Sequence, residues 1–194
     1  MYSSMRLFLA IPFSNEVLVQ FRQIQRMLND HIPSGYYRWI RLDQLHMTIQ
    51  FLGNTHPEKV PHLVFSLENT INQISQFRVV LKDGGVFNRK GQSTVIWIGT
   101  DLVPDLKSLA GFVRACTKSI LSIDSDNFKP HVTLARINRQ APIKYLLHKH
   151  LIQNIIDTLP PITAEIDRVI LYESILDRSG PTYKSLHCFR LGVK

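Results

Sequence analysis

A chain of 194 residues with 44% apolar side chains can bury one substantial core and is too apolar to be disordered. No run approaches the roughly 20 apolar residues of a membrane-spanning helix, the first residues lack the basic start of a secretory leader, and two cysteines are too few for a disulfide framework or a cysteine-based metal site. The expected setting is therefore reducing and cytoplasmic, and the net charge of +8 favours polyanionic partners, although the lysines and arginines are scattered and folding must assemble any basic surface.

Arg6 to Ile11 is a nearly continuous apolar run and predicts a buried strand. Ser14 stands where a helix cap belongs, and Val17, Phe21, Ile24 and Leu28 follow at helical spacing towards Pro33. Arg38-Trp39-Ile40-Arg41 is a segment whose arginines and indole could stack and bind phosphate; the alternative is that Trp39 belongs to the core and the arginines are solvated. A second helix is expected after a Thr55-x-x-Glu58 capping box, with Val60, Leu63, Val64, Leu67, Ile71 and Ile74 on its inner face. Phe77 to Leu81 reads as a strand, Asp83-Gly84-Gly85 as a turn, Val86-Phe87 as a short strand, Asn88 to Gly91 as a loop and Thr94 to Gly99 as another strand. Pro104 opens a third helix that buries Leu106, Leu109, Val113, Cys116 and Ile120, which makes Cys116 a core residue. After a polar loop at Asp124 to Asn127, the segment Ile143 to Leu159 reads as a basic helix, and Thr163 to Glu173 and Tyr183 to Leu191 as a final hairpin.

The chemistry concentrates in a doubled motif. His46-Met47-Thr48-Ile49-Gln50-Phe51-Leu52-Gly53 recurs as His131-Val132-Thr133-Leu134-Ala135-Arg136. Both alternate polar and aliphatic residues with period two, so each His shares one strand face with the Thr two residues on. The aliphatic face needs a core and the His-Thr face is left to a cleft. Imidazole titrates near neutrality, so two facing histidines can serve as acid and base on one reacting atom. Threonine hydroxyls beside them can donate to a central anion such as a phosphodiester. By strict alternation Arg136 falls on the opposite face from His131 unless the strand bends, and Phe51 falls on the core side.

These two motifs closely resemble those of the two-histidine phosphoesterase superfamily, and most closely its RNA 2',3'-cyclic phosphodiesterase (LigT-type, 2'-5' RNA ligase) branch. Arg38-Trp39-Ile40-Arg41 and Phe128-Lys129-Pro130 flank them, and the resemblance extends to Arg6-Leu7-Phe8-Leu9-Ala10-Ile11-Pro12 and Val169-Ile170-Leu171-Tyr172-Glu173-Ser174. It is weakest between Asn138 and Pro161. It implies an α/β (α+β) fold: one domain over residues 1–194, built of two interleaved lobes related by a pseudo-twofold. Two mainly antiparallel sheets would line a central cleft, with helices outside. It implies that His46 is the general acid, that His131 is the general base, and that Thr48, Thr133 and Arg136 hold the phosphate of an RNA or nucleotide 2',3'-cyclic phosphate. Neither a cofactor nor a metal is implied, and no membrane or obligatory protein partner. Two alternatives stay open: ATP-independent 2'-5' ligation at the same site, and a non-catalytic RNA-binding module.

Overall fold

The computed structural model describes residues 4–32, 35, 37–89, 92–123, 128–137, 149–177 and 180–193. Of the loop expected at Asn88 to Gly91, Asn88 and Arg89 continue a strand, while Lys90 and Gly91, the polar loop at 124–127 and the N-terminal part of the predicted basic helix, with Lys144 and His148, lie outside these residues.

The strands are β1 (Met5–Ile11), β2 (Tyr37–Trp39), β3 (Met47–Thr55), β4 (Phe77–Arg89), β5 (Gln92–Thr100), β6 (His131–Ile137), β7 (Ile162–Ile166), β8 (Arg168–Asp177) and β9 (Gly180–Arg190). The helices are α1 (Asn15–His31), α2 (Val60–Ile71), α3 (Pro104–Leu121) and α4 (Lys149–Asp157). The strands form one sheet in the order β7-β4-β5-β6-β3-β1-β8-β9, with β2 paired to β6. All of its ladders are antiparallel. The two expected sheets are the two halves of this one. They meet where β3 pairs with β6 at Met47 and Val132, both fully buried.

The chain crosses repeatedly between the halves. α1 packs on β7 and α4, and α4 on β4; α3 packs on β3 and on α2, which reaches β9. The aliphatic residues of the strands face these helices and form one core with them. The opposite, concave face carries the chemistry. The sheet curls enough that Gly180, at the start of edge strand β9, lies against the guanidinium of Arg38 on β2, and Gln44 Nε2 donates to the Pro181 carbonyl at 2.7 Å.

Local expectations fare differently. Ser14 caps α1 by accepting from the Val17 N–H, and Val17, Phe21, Ile24 and Leu28 are the residues that helix buries. The Thr55-Glu58 capping box does not form. Thr55 is the last residue of β3, buried, with its hydroxyl donating to the Leu52 carbonyl at 3.5 Å, and a short 3-10 turn at Pro57–Lys59 leads into α2. The predicted strand from Thr163 to Glu173 is two strands, β7 and β8, at separate places in the sheet and divided at Asp167.

Asp83-Gly84-Gly85 is no turn but the middle of β4. The glycines are there because α4 lies directly on the strand. A Cβ at Gly84 would stand 2.6 Å from the Trp97 carbonyl oxygen and 2.9 Å from Ile156 Cγ2, and one at Gly85 2.6 Å from Gln153 Oε1. Gly84→Ala is expected to cost about 1–3 kcal/mol of stability, because backbone and helix must move to admit the methyl. Urea unfolding of the variant checks this, and an unchanged midpoint would mean that α4 rides loosely on β4.

Candidate active site

Antiparallel pairing at Met47 and Val132 sets the two His-Thr strands side by side at the centre of the sheet. Running in opposite directions about that pair, they place His46 at the same end as Thr133, and Thr48 at the same end as His131. The pseudo-twofold expected from the repeat passes through this pair. The structure thus brings His46, Thr48, His131 and Thr133 together on the concave face.

Each imidazole is oriented in the same way. His46 Nδ1 lies 2.7 Å from the Gln44 carbonyl and His131 Nδ1 2.8 Å from the Lys129 carbonyl, in both cases the residue two before the histidine. A carbonyl oxygen can only accept, so Nδ1 carries the proton in both rings. This makes Nε2 the nitrogen that takes up or releases a proton in each ring. His46 Nε2 lies 3.1 Å from Thr48 Oγ1, and in the neutral ring the hydroxyl donates to it.

Arg136 also belongs here, contrary to strict alternation. Along β6, Trp97 of β5 pairs with Thr133 and Ile96 pairs with Ala135, so Leu134 is an extra residue. Leu134 and Ala135 are consequently both buried in the core, and the bulge returns Arg136 to the face of His131 and Thr133. β3 carries the same device. Leu9 pairs with Gln50 and Ala10 with Thr48, which skips Ile49. Ile49 and Gln50 are both buried, and Phe51 emerges on the concave face, paired with Phe8 and 67% exposed. The assignment of Phe51 to the core is corrected on this ground. Phe51 and Arg136 occupy equivalent places, each five residues after its histidine.

The charge of Arg136 reaches both histidines. Burial pushes the His46 pKa down to about 4; the Gln44 carbonyl opposes this, while the positive charges of Arg136 and His131 reinforce it. His131 is lowered too, first by burial and then by Arg136, against the Lys129 carbonyl. The unliganded site therefore holds two neutral imidazoles beside one arginine at neutral pH.

Aromatic rings wall the site. His46 packs against Phe8, ring centroids 5.1 Å apart, and meets Tyr183 edge-on at 5.3 Å. Phe8 stacks on Tyr172 at 5.2 Å. His131 meets Phe87 edge-on at 5.3 Å, and Phe87 stacks on Trp97 at 4.6 Å. Sequence reading missed these five aromatics, yet the signal was present. Leu7-Phe8-Leu9 and Ile96-Trp97-Ile98 each put a ring between two aliphatics, and the period-two argument used for the histidines sends those rings to the same face. Trp39 is elsewhere: its indole N–H donates to Asn29 Oδ1 at 2.9 Å and its ring packs on the core, while Arg41 pairs with Asp43 on the surface. Of that segment Arg38 alone turns to the site, as the cross-strand partner of Arg136. Among the described residues, no three of His, Cys, Asp or Glu cluster so as to hold a metal ion.

Comparison with known proteins places this geometry. Residues 11–97 match the model of the LigT-like phosphoesterases. The RNA 2',3'-cyclic phosphodiesterase of Thermotoga maritima is 29% identical, over 94% of each chain. That of Aquifex aeolicus is 30% identical, over 80% of this chain and 82% of the relative. The crystal structure of E. coli LigT in apo form superposes with a TM-score of 0.76 at 27% identity, over 98% of this chain and 99% of that one. The same protein complexed with 3'-AMP gives 0.72 at 26% identity, over 97% and 98%. In sequence over most of its length, and in fold, the chain belongs to the LigT-like phosphoesterases, the two-histidine family.

Proposed function

We propose that the protein is an RNA 2',3'-cyclic phosphodiesterase that opens the cyclic phosphate to a 2'-phosphate. The observation that carries this reading is the matched pair of histidines, each locked through Nδ1 to a backbone carbonyl, both within the field of Arg136. The relatives named for this activity support it.

Arg136, Thr48 and Thr133 hold the non-bridging oxygens. Water attacks phosphorus and loses a proton to His131 Nε2. The P–O3' bond breaks as His46 Nε2 delivers its proton to the leaving 3'-oxygen. One P–O bond forms and one breaks; His131 has gained a proton and His46 has given one up. His46 must therefore be charged in the substrate complex. A bound phosphodiester supplies the reason: its negative charge offsets Arg136 and favours the imidazolium. With a ribose 5'-hydroxyl in place of water, the same steps give a 2'-5' linkage.

Each half of the sheet supplies one histidine, which supports treating the whole chain as one domain of two interleaved lobes. Both cysteines are free, and among the described residues no helix is long and apolar enough to cross a membrane. We infer a cytoplasmic setting from the unpaired thiols.

The test is incubation with a nucleoside 2',3'-cyclic phosphate and identification of the product. A 2'-phosphate is expected. No turnover sinks the proposal, and a 3'-phosphate would mean that the bond to the 2'-oxygen breaks instead. Because imidazoles carry both protons and an arginine meets the phosphate charge, turnover is expected to persist in EDTA. Loss reversed by one divalent ion would show that a metal shares the work.

A further inference from the structure

Arg136 is not the only cation on the concave face. Arg38 is its cross-strand partner, with β2 and β6 antiparallel at this point. Tyr37 and Trp39 on either side of it pack towards the core, so Arg38 points the other way. The curl of the sheet presses Gly180 against its guanidinium: a Cβ there would lie 3.3 Å from Nη1. Arg6 stands on β1 two residues before Phe8, hence on the same face as that ring. Tyr183 lies among all three, since the positive charges of Arg136, Arg6 and Arg38 each act on its hydroxyl. Neither Arg6 nor Arg38 has an ion-pair or hydrogen-bond partner among the described residues. Glu173 lines the same hollow as Arg6, with Ser4, Asn54 and Ser174, but does not come within ion-pair distance of it.

Three exposed like charges around one partly buried phenol focus a positive potential on this face, which draws anions to it. Arg136 is accounted for by the scissile phosphate. The cyclic phosphate carries a single negative charge, which leaves two arginines over. Resting on the cyclic phosphodiesterase reading, we propose that Arg38 and Arg6, both near Tyr183 on the concave face, form a second seat that takes the next phosphate along an RNA strand. Cross-strand neighbours lie about 5 Å apart at Cα, so the long side chains of Arg38 and Arg136 start close enough together to serve phosphates that follow one another along a strand. The phenol ring of Tyr183, edge-on to His46 at 5.3 Å, sets the second seat beside the scissile one, within reach of the ribose that joins the two phosphates. The preferred substrate is then an RNA chain end and not a mononucleotide.

The experiment compares wild type, Arg38→Gln and Arg6→Gln on two substrates: an oligonucleotide ending in a 2',3'-cyclic phosphate and a nucleoside 2',3'-cyclic phosphate. Wild type should prefer the oligonucleotide. Each variant should lower that preference roughly tenfold, through KM and not kcat, as removal of one charge-assisted hydrogen bond to phosphate implies. The slope of log KM against log salt for the oligonucleotide should become shallower by about 0.7 for each phosphate that is no longer neutralised. Arg136→Gln should instead depress both substrates together. Equal losses on both substrates in the Arg38 and Arg6 variants, or no loss on either, would overturn the second seat. So would a wild type with no preference and the same salt slope for both. A wild type inert on both substrates is a different failure, that of the cyclic phosphodiesterase reading itself. Melting curves of the two variants, whose side chains are exposed, separate binding from folding.

Discussion

His131→Ala and His46→Ala should each lower turnover of a 2',3'-cyclic phosphate by roughly 10²- to 10⁴-fold, the usual worth of a general acid or base. The geometry explains why neither can stand in for the other. Each Nδ1 is committed to its own backbone carbonyl, so each ring offers one nitrogen to one side of the phosphorus. The double variant should be only slightly worse than the poorer single one, because a displacement that lacks either proton transfer already follows another route. Thr48→Ala should cost less, about 10- to 100-fold by analogy with a lost oxyanion donor. The pH profile checks the assignment from a second direction. Both free-enzyme histidines titrate below the ordinary imidazole value, so both limbs of the kcat/KM bell should lie below about pH 6.5. The limbs of kcat should lie higher, because the bound phosphate favours the imidazolium. The limbs belong to the pair and not to single residues. Wild-type turnover by the His131→Ala protein, with its bell intact, would remove the second motif from the mechanism.

The parts of this site that the sequence displayed are those governed by period two. His46, Thr48, His131 and Thr133 share a face because nothing interrupts the strand between them. Phe51 and Arg136 could not be placed by the same rule, since one extra residue in each strand reverses the alternation beyond it. Such a bulge has a faint trace in sequence. Gln50 and Ala135 sit where a strictly alternating strand would show a groove residue, and both are buried instead. Amphipathic helices were legible for the same reason as the strands, as α1 shows with its Ser14 cap and four buried residues. Close approach was not legible. Gly84 and Gly85 look like a turn on composition, and only the position of α4 shows that they are there for want of a side chain. The closing of the sheet through Arg38 and Gly180 joins residues 142 positions apart, and no local pattern encodes it.

The second large effect concerns stability, and it follows from holding His46 neutral. In the unfolded chain this imidazole has the ordinary pKa of about 6.5. In the folded protein burial, aided by Arg136 and His131, pushes it down to about 4. Below pH 6.5 the unfolded chain takes up a proton that the folded one refuses, so the folded state loses ground as pH falls. The contribution is complete above about pH 6.5 and is lost progressively as pH falls towards 4. Its full size is on the order of 3 kcal/mol, a large share of the stability of an ordinary domain. His131, its pKa also lowered first by burial, acts in the same direction. His46→Gln removes the titrating group while keeping a polar side chain of similar reach. Denaturant midpoints of the two proteins should therefore diverge with pH: the wild type loses stability between pH 6.5 and 4, and the variant loses markedly less. Carboxylates that titrate in the same range are common to both proteins and drop out of the difference. Parallel curves across that range would mean that His46 takes its proton in the folded state as readily as in the unfolded one. The ligand-free site would then already hold its acid charged, and substrate would not be needed to supply the reason for it.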